Sequence, residues 1–435
     1  MKRWLSRNVW TLSWVSFLQD AASEMLMPLM PVLLTSILHA PAAVVGMIEG
    51  LAEGMAATTK LLSSRINRWV PRKTMVFLGY SGAALGKVIV ALSGTWPMVL
   101  AGRLTDRFGK GLRSVARDAL LVDGSDKGDR GKIVGFHRTA DTLGAVVGPV
   151  LALTFLSLLG SSSDTEAIRK VLWFAVVPGV ASTLLVLLVR DNQKSKRGQA
   201  KADVIALADA VFDGAASDGV TSTGVASDGV ATDVVVTRTA GKTQEPMPAR
   251  LKTVLFAMVA FSVVNFPDAL VLLHVSQIGF TVQGVIAAYL VYNIAYAALN
   301  FPAGWLADRF SPNAIFGLGL VCFAIAYGGM GLTNDHNLTI ALLIVYGGFA
   351  AANDTVGKSW ISKLAPDSRQ IWAQSLLQGL SGFSVLAAGL WAGLIWTMTE
   401  FGATGAGSLP LRISGIVAII AAVAVFSIGR DHGKH

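Results

Sequence analysis

Cysteine is almost missing from this chain: of 435 residues only Cys322 carries a thiol. A lone cysteine excludes an internal disulfide, and its apolar neighbours make it a core residue. Charge is scarce as well. Asp, Glu, Lys and Arg make up 14% of the sequence, against about 25% in soluble domains, which excludes an ordinary water-soluble globule. There is no HExxH, no GxSxG and no phosphate-binding glycine loop, so hydrolytic and nucleotide-dependent chemistries lack their motifs. No enzymatic activity, cofactor or metal is expected. The tail Asp431-His-Gly-Lys-His435 is too short and exposed to form a metal site.

What is present is apolar. Hydrophobic residues make up 53% of the chain, 45 residues are glycine, and the mean hydropathy is +0.57. Glycine at this density suits helices that pack closely inside a membrane. Twelve stretches are long enough to cross roughly 30 Å of hydrocarbon: 8–37, 42–62, 72–93, 97–121, 132–160, 168–189, 250–273, 282–303, 312–333, 337–361, 370–398 and 411–429. The first has no small-residue cleavage pattern and carries Asp20 and Glu24, so it reads as a retained helix. The pI of 9.7 would suit nucleic acid if the basic residues formed a patch. They lie instead beside the apolar stretches, which makes a lipid bilayer the expected partner and excludes nucleic acid.

Lys and Arg collect on the cytoplasmic side of membrane proteins. With the N-terminus inside, cytoplasmic segments hold 24 of them and the opposite side only Arg169, Lys170 and Arg412. Both termini are therefore expected in the cytoplasm. Between the sixth and seventh stretches lies a polar segment in which Ala-Ser-Asp-Gly-Val occurs twice, at 216–220 and 226–230. Its composition offers no packed core, so it reads as a tether. The expected organisation is all-α: a six-helix bundle at 1–190, a flexible cytoplasmic linker at 191–249 and a second six-helix bundle at 250–435. Weak similarity between 101–138 and 350–378 agrees with paired repeats around a midplane site.

Ionisable groups in a bilayer cost about 2.5–3.5 kcal/mol each on insertion scales, so their placement carries functional information. Apart from Lys and Arg in the first three residues of a stretch, which belong to the connecting segments, eighteen fall within the stretches, and all but Asp268, Asp354 and Lys358 lie in the first half. The densest run is Gly102-Arg-Leu-Thr-Asp-Arg-Phe-Gly-Lys-Gly-Leu-Arg-Ser-Val-Ala-Arg-Asp118. At about 100° per residue, Arg103, Asp106, Arg107, Lys110, Arg113, Arg117 and Asp118 fall within an arc of roughly 140°. Such a stripe must face water or carboxylates on neighbouring helices. Asp20 and Glu24 share a face at i, i+4, as do Glu49 and Glu53. These acids either neutralise the stripe in a structural network or, at Asp20 and Glu24, join Arg103, Asp106, Arg107 and Lys110 in substrate binding and proton coupling. A carboxylate beside an arginine can exchange a proton when a competing anion takes the arginine.

Three motifs carry a resemblance. Gly304-Trp-Leu-Ala-Asp308-Arg309-Phe310 matches a GxxxDRxGRR loop; the first-half equivalent has Asn67 where that pattern has Asp. Arg107-Phe-Gly-Lys110-Gly111 is similar to RxxQG, with Lys in place of the polar residue. Gly144-Ala-Val-Val-Gly148-Pro149 matches GxxxGP, with Ala152 at the trailing glycine. With these motifs the chain resembles the major facilitator superfamily over nearly its whole length, in particular bacterial antiporter-like and exporter-like permeases. The resemblance implies a secondary transporter working by alternating access, a loop latch at Asp308 and Arg309, proton coupling at Arg107, and an export motif at Gly144, Gly148 and Pro149. The bacterial inner membrane and a monomeric state are the corresponding expectations.

In the second half Tyr289, Tyr292, Asn293, Tyr296 and Asn300 form a stripe at i, i+3, i+4, i+7 and i+11, suited to stacking in a cavity or to packing between helices. Asp268 and Asp354 complete the candidate site. The cation excess on the fourth stretch favours an anionic or zwitterionic small solute, with H+ as the coupling ion. A lipophilic cation held by Asp20 and Glu24, import in place of export, and a non-transporting sensor are the competing readings.

Overall fold

The structure, a computed structural model, describes residues 5–67, 69–123, 125–126, 129–159, 164–191, 248–365, 370–400 and 407–430. The expected linker lies outside the described residues except at its two ends, as do the tail 431–435 and the side chains of Asp308 and Lys358. Every described element is helical. In chain order they are α1 (Arg7–Leu26), α2 (Ala42–Ile66), α3 (Arg72–Ala91), α4 (Trp96–Leu121), α5 (Arg130–Leu158), α6 (Asp164–Val186), α7 (Ala249–Ser262), α8 (Asp268–Gln277), α9 (Val282–Arg309), α10 (Pro312–Met330), α11 (His336–Ala351), α12 (Gly357–Leu364), α13 (Gln370–Glu400) and α14 (Ser408–Arg430).

Helix occupies each of the twelve apolar stretches, but three are interrupted. After α1, Pro28 and Pro31 remove backbone donors, and the chain continues through a 3-10 turn at Met27–Leu29 and a π turn at Leu33–Ile37. A second π turn, Ala352–Val356, separates α11 from α12 and contains Asp354; such turns recur at functional sites. The seventh stretch breaks at 263–267, before Pro267, and the exposed carbonyls are capped by side chains. Trp391 Nε1 donates to Val263 O at 2.7 Å, Ser414 Oγ to Val264 O at 2.8 Å and Tyr327 Oη to Phe266 O at 3.4 Å. Three helices thus satisfy groups that lipid could not. The break is built in.

Eight helices among the described residues are long and apolar enough to cross a membrane. The first, second, fourth and seventh stretches fall short of that test for physical reasons: three carry the polar residues of the interior and the fourth of them is broken. Their outer surfaces still carry apolar side chains, such as Trp14 of the first stretch and Phe256 of the seventh, both at least half exposed.

Packing follows small residues. α3 lies along α4, α1 along α5, α10 along α14, and α2 along α13. Gly46 and Gly389 meet backbone to backbone, leaving no room for a methyl group on either. The same seam is pinned at one end by Ala43 N donating to Thr397 Oγ1 at 2.8 Å and at the other by Lys60 Nζ donating to Gln378 Oε1. On α5, a Cβ added to Gly144 would sit 2.5 Å from Phe17 O, and one added to Gly148 would sit 2.6 Å from Ala21 O and 2.8 Å from Glu24 Cβ. Gly144 and Gly148 therefore set how closely α1 approaches, directly behind Asp20 and Glu24. Gly148→Val should cost about 1–3 kcal/mol by overpacking and lower the unfolding temperature of the detergent-purified protein; an unchanged melting curve would show that α1 and α5 are not held in this contact.

Candidate functional site

The cavity grows out of the charged run. With α4 helical from 96 to 121, its polar arc faces inward and meets α1, α5, α9 and the π turn before α12. Asp20, Glu24, Arg103, Asp106, Arg107 and Lys110 line one cavity of about 820 Å³, together with Arg113, Arg117, Arg138, Asp141, Tyr296, Asn300 and Asp354. Residues from both halves of the chain thus surround a single space.

The charges divide into those that are paired and those that are not. Arg103 binds Glu49 through Nη2 and lies 4.0 Å from Asp106, whose other oxygen is 3.2 Å from Lys87 Nζ. Glu49, Arg103, Asp106 and Lys87 form a neutral chain across α2, α4 and α3, and all four are buried. Arg107 pairs with Glu53 at 3.4 Å. Arg113 stacks its guanidinium 4.4 Å from the centre of the Tyr80 ring, a favourable cation–π arrangement. Arg117 donates to Ser16 Oγ and to Asp118, each at 3.0 Å. Across the halves, Arg138 approaches Asp354 at 3.8 Å, and Tyr296 Oη donates to the same carboxylate at 3.1 Å.

Lys110 and Asp20 differ from the rest. Both line the cavity, and neither makes an ion pair or hydrogen bond among the described residues. The fourth-stretch arginines therefore have partners, while the lysine in the RxxQG-like position does not. Its charge is open to a ligand.

The stripe on α9 is split. Tyr296 and Asn300 reach the cavity, whereas Tyr289 and Tyr292 line a separate void of about 10 Å³ with Asp268 and Tyr346. The division is geometric: at about 1.5 Å per residue the stripe climbs past the cavity roof. That roof is the hydrogen bond from Tyr289 Oη to Glu24 Oε2. Asn293 is buried with its Nδ2 unpartnered. Gly304 packs toward Thr355 Cγ2, and Arg309 lies 4.0 Å from the centre of the Trp305 ring, so the second-half motif sits at the end of α9 away from Tyr289.

Sequence reasoning left out Tyr346, which bonds Asp268, and counted Lys87 among the intramembrane charges without placing it in the site, where it completes the chain to Asp106. A signal existed for the first. The chain has six tyrosines, and five of them (Tyr289, Tyr292, Tyr296, Tyr327 and Tyr346) fall between 289 and 346. Beyond Arg72 and Lys73 at its start, α3 carries no charge but Lys87, and nothing local marks its partner. His137 donates or accepts at Ser16 Oγ at 3.3 Å and lies 3.8 Å from Asp141, inside a polar hub with Tyr80 and Arg117.

Apolar helices around a charged central cavity, with broken and π-bulged helices at its wall, define a polytopic membrane transporter. The family model described as Major Facilitator Superfamily matches residues 12–290 and again 253–435. The chain belongs to this superfamily. An uncharacterized MFS-type transporter of Methanocaldococcus jannaschii is 26% identical over 425 residues, 95% of each chain. Among solved structures, a nucleoside transporter superposes with a TM-score of 0.72 at 15% identity, covering 97% of this chain and 100% of that one. A bacterial homologue of the human lysosomal transporter Spinster, in an inward-facing unoccupied conformation, gives 0.71 at 15% identity over 98% and 96% of the two chains. At these identities the structural likeness concerns the fold.

Proposed function

We propose that this transporter moves a small anionic or zwitterionic solute by alternating access, coupled to protons, and exports it across a bacterial inner membrane. The transported solute binds at Lys110, with Asp20 beside it as the exchangeable carboxylate. Arg103 and Arg107, the expected anion ligands, serve chiefly to hold α4 against α2. The observation that supports this most directly is the unpaired charge of Lys110 in a cavity whose arginines are engaged. Twelve spans, cytoplasmic termini, two six-helix bundles and a monomeric state complete the reading. Export draws support from the motif Gly144, Gly148 and Pro149, whose two glycines bring α1 and α5 together behind the acids.

Lysine at this position suits an anion because a strongly hydrated ammonium on a flexible stem can follow a ligand between two states. The bilateral walls fit alternating access: Arg138 and Tyr296 both reach Asp354, so a solute between them would bias how the halves meet. A second reading, a lipophilic cation, is favoured by one observation: Asp20 is as unpaired as Lys110.

Ligand-induced stabilisation separates the two. The purified protein should gain thermal stability with some members of a panel of organic carboxylates, phosphates and amino acids, and Lys110→Gln should remove that gain. Stabilisation by hydrophobic ammonium compounds alone, lost in Asp20→Asn, would replace the anion reading with the cation one.

A further inference from the structure

The cavity is not the only place where a carboxylate is set among hydrogen-bond donors. Asp268 occupies the first turn of α8, immediately after the break at 263–267. It faces the small void beyond the cavity roof. Tyr346 Oη, from α11, donates to its Oδ1 at 2.7 Å. The Tyr346 ring stacks on Tyr292 of α9, 5.0 Å between centres and 17° between planes, and lies 5.3 Å from Tyr327 of α10. Tyr289, the remaining phenol of the void, turns its hydroxyl to Glu24 of α1. The titratable groups facing Asp268 are thus four phenols and two carboxylates, Glu24 past Tyr289 and, more weakly, Glu53. Among the described residues no lysine or arginine forms an ion pair with it.

No cation among the described residues balances the Asp268 carboxylate in this pocket, and a phenol supplies its hydrogen bond. The void of about 10 Å³ is on the scale of a single water molecule. It is too small for an organic solute, so the smallest cargo, a proton, is the ligand it fits. Tyr289 links the two compartments: it lines the void, and its hydroxyl donates to Glu24, which lines the cavity.

We propose that Asp268 is a second proton-binding carboxylate, outside the solute cavity, which exchanges its proton with Glu24 through Tyr289. The step balances as a relay. A protonated Asp268 gives its proton, across one water, to Tyr289 Oη, while Tyr289 passes its own hydroxyl proton to Glu24 Oε2. Asp268 becomes the carboxylate, Glu24 the acid, and the phenol is unchanged. The hydrogen bond from Tyr289 to Glu24 is already oriented for that transfer. Once Glu24 is protonated the bond loses its charge assistance, which roughly halves its strength, and the roof between the two halves weakens. Proton arrival at Glu24 and loosening of an inter-half contact are one event. The inference holds whether the cavity's solute is an anion or a cation.

The test needs no solute. Infrared difference spectra of the full chain in proteoliposomes, taken between acid and alkaline pH, report the C=O stretch of protonated carboxyl groups. The wild type should show a band that Asp268→Asn removes, that Asp268→Glu restores at a shifted frequency, and that is distinct from the band removed by Glu24→Gln. Tyr289→Phe should keep the Asp268 band but slow its hydrogen–deuterium exchange by about a hundredfold, the scale of a lost proton-transfer group. Difference spectra identical in wild type and Asp268→Asn would overturn the site. Exchange as fast in Tyr289→Phe as in wild type would overturn the path.

Discussion

Arg103→Ala should be among the most destabilising single substitutions in the protein, at about 3–5 kcal/mol, the usual cost of stripping one partner from a buried ion pair. Arg103 and Glu49 are both buried, Arg103 binds Glu49 through Oε2, and Glu49 Oε1 has no hydrogen-bond partner. Removing the guanidinium leaves a carboxylate at the α2–α4 contact with nothing to balance it. Asp106 keeps Lys87 at 3.2 Å, so the damage should be confined to the Glu49 end. A double substitution, Arg103→Met with Glu49→Leu, should recover most of the loss, because apolar groups of similar size can replace a buried pair at little cost. Thermal unfolding in detergent reads both. If the double variant melted no higher than the single one, the Glu49–Arg103 pair would not be the structural element described here.

Lys110→Gln should do the reverse, sparing the fold and removing the ligand. No ion pair or hydrogen bond is lost with the ammonium, and the side chain is exposed to the cavity. The ligand-free melting temperature should stay close to wild type. Affinity for the solute should fall about 10–100-fold, as expected for a hydrogen bond to a charged group worth about 1.5–3 kcal/mol. Titration of the purified protein by calorimetry or by thermal shift measures this. An unaltered affinity would move the anion contact to Arg113 or Arg138, and equal losses of stability in Lys110→Gln and Arg103→Ala would mean that Lys110 is structural after all.

The contrast between these two residues shows what the sequence could and could not convey. Periodicity alone placed Arg103, Asp106, Arg107 and Lys110 on one face of α4, and the cost of intramembrane charge required that face to be interior. The acids opposite them were visible too, since Glu49 and Glu53 recur at helical spacing. Which cation each acid takes was not visible. That depends on the axial offset between α2 and α4, set by contacts such as Gly111 against Ala56 and Thr59, and no local pattern encodes an offset. Arg107 therefore stood out as the functional arginine although Glu53 holds it, and Lys110, an apparent departure from a motif, is the charge left unpaired.

The helical interruptions were not read from the sequence, in which 8–37, 250–273 and 337–361 stood as continuous stretches, although proline marks two of the three. Pro28, Pro31 and Pro267 flag the ends of the first stretch and the break in the seventh. The π turn at Ala352–Val356 has no proline and lies in a run of small residues, so the sequence suggested an unbroken helix through 361. The α9 stripe was read correctly as a helical face. Its division between two compartments follows from Glu24 reaching Tyr289, a contact 265 positions away in the chain.

The most direct test of the central claim is proton movement driven by solute. Proteoliposomes containing only this protein and an entrapped pH-sensitive dye would receive organic carboxylates, phosphates, amino acids and hydrophobic ammonium compounds in turn, with wild type and Lys110→Gln side by side. The expected result is a proton flux triggered by an anion or zwitterion and absent in Lys110→Gln. A flux triggered only by cations, or one that persists unchanged without the Lys110 charge, would contradict the account.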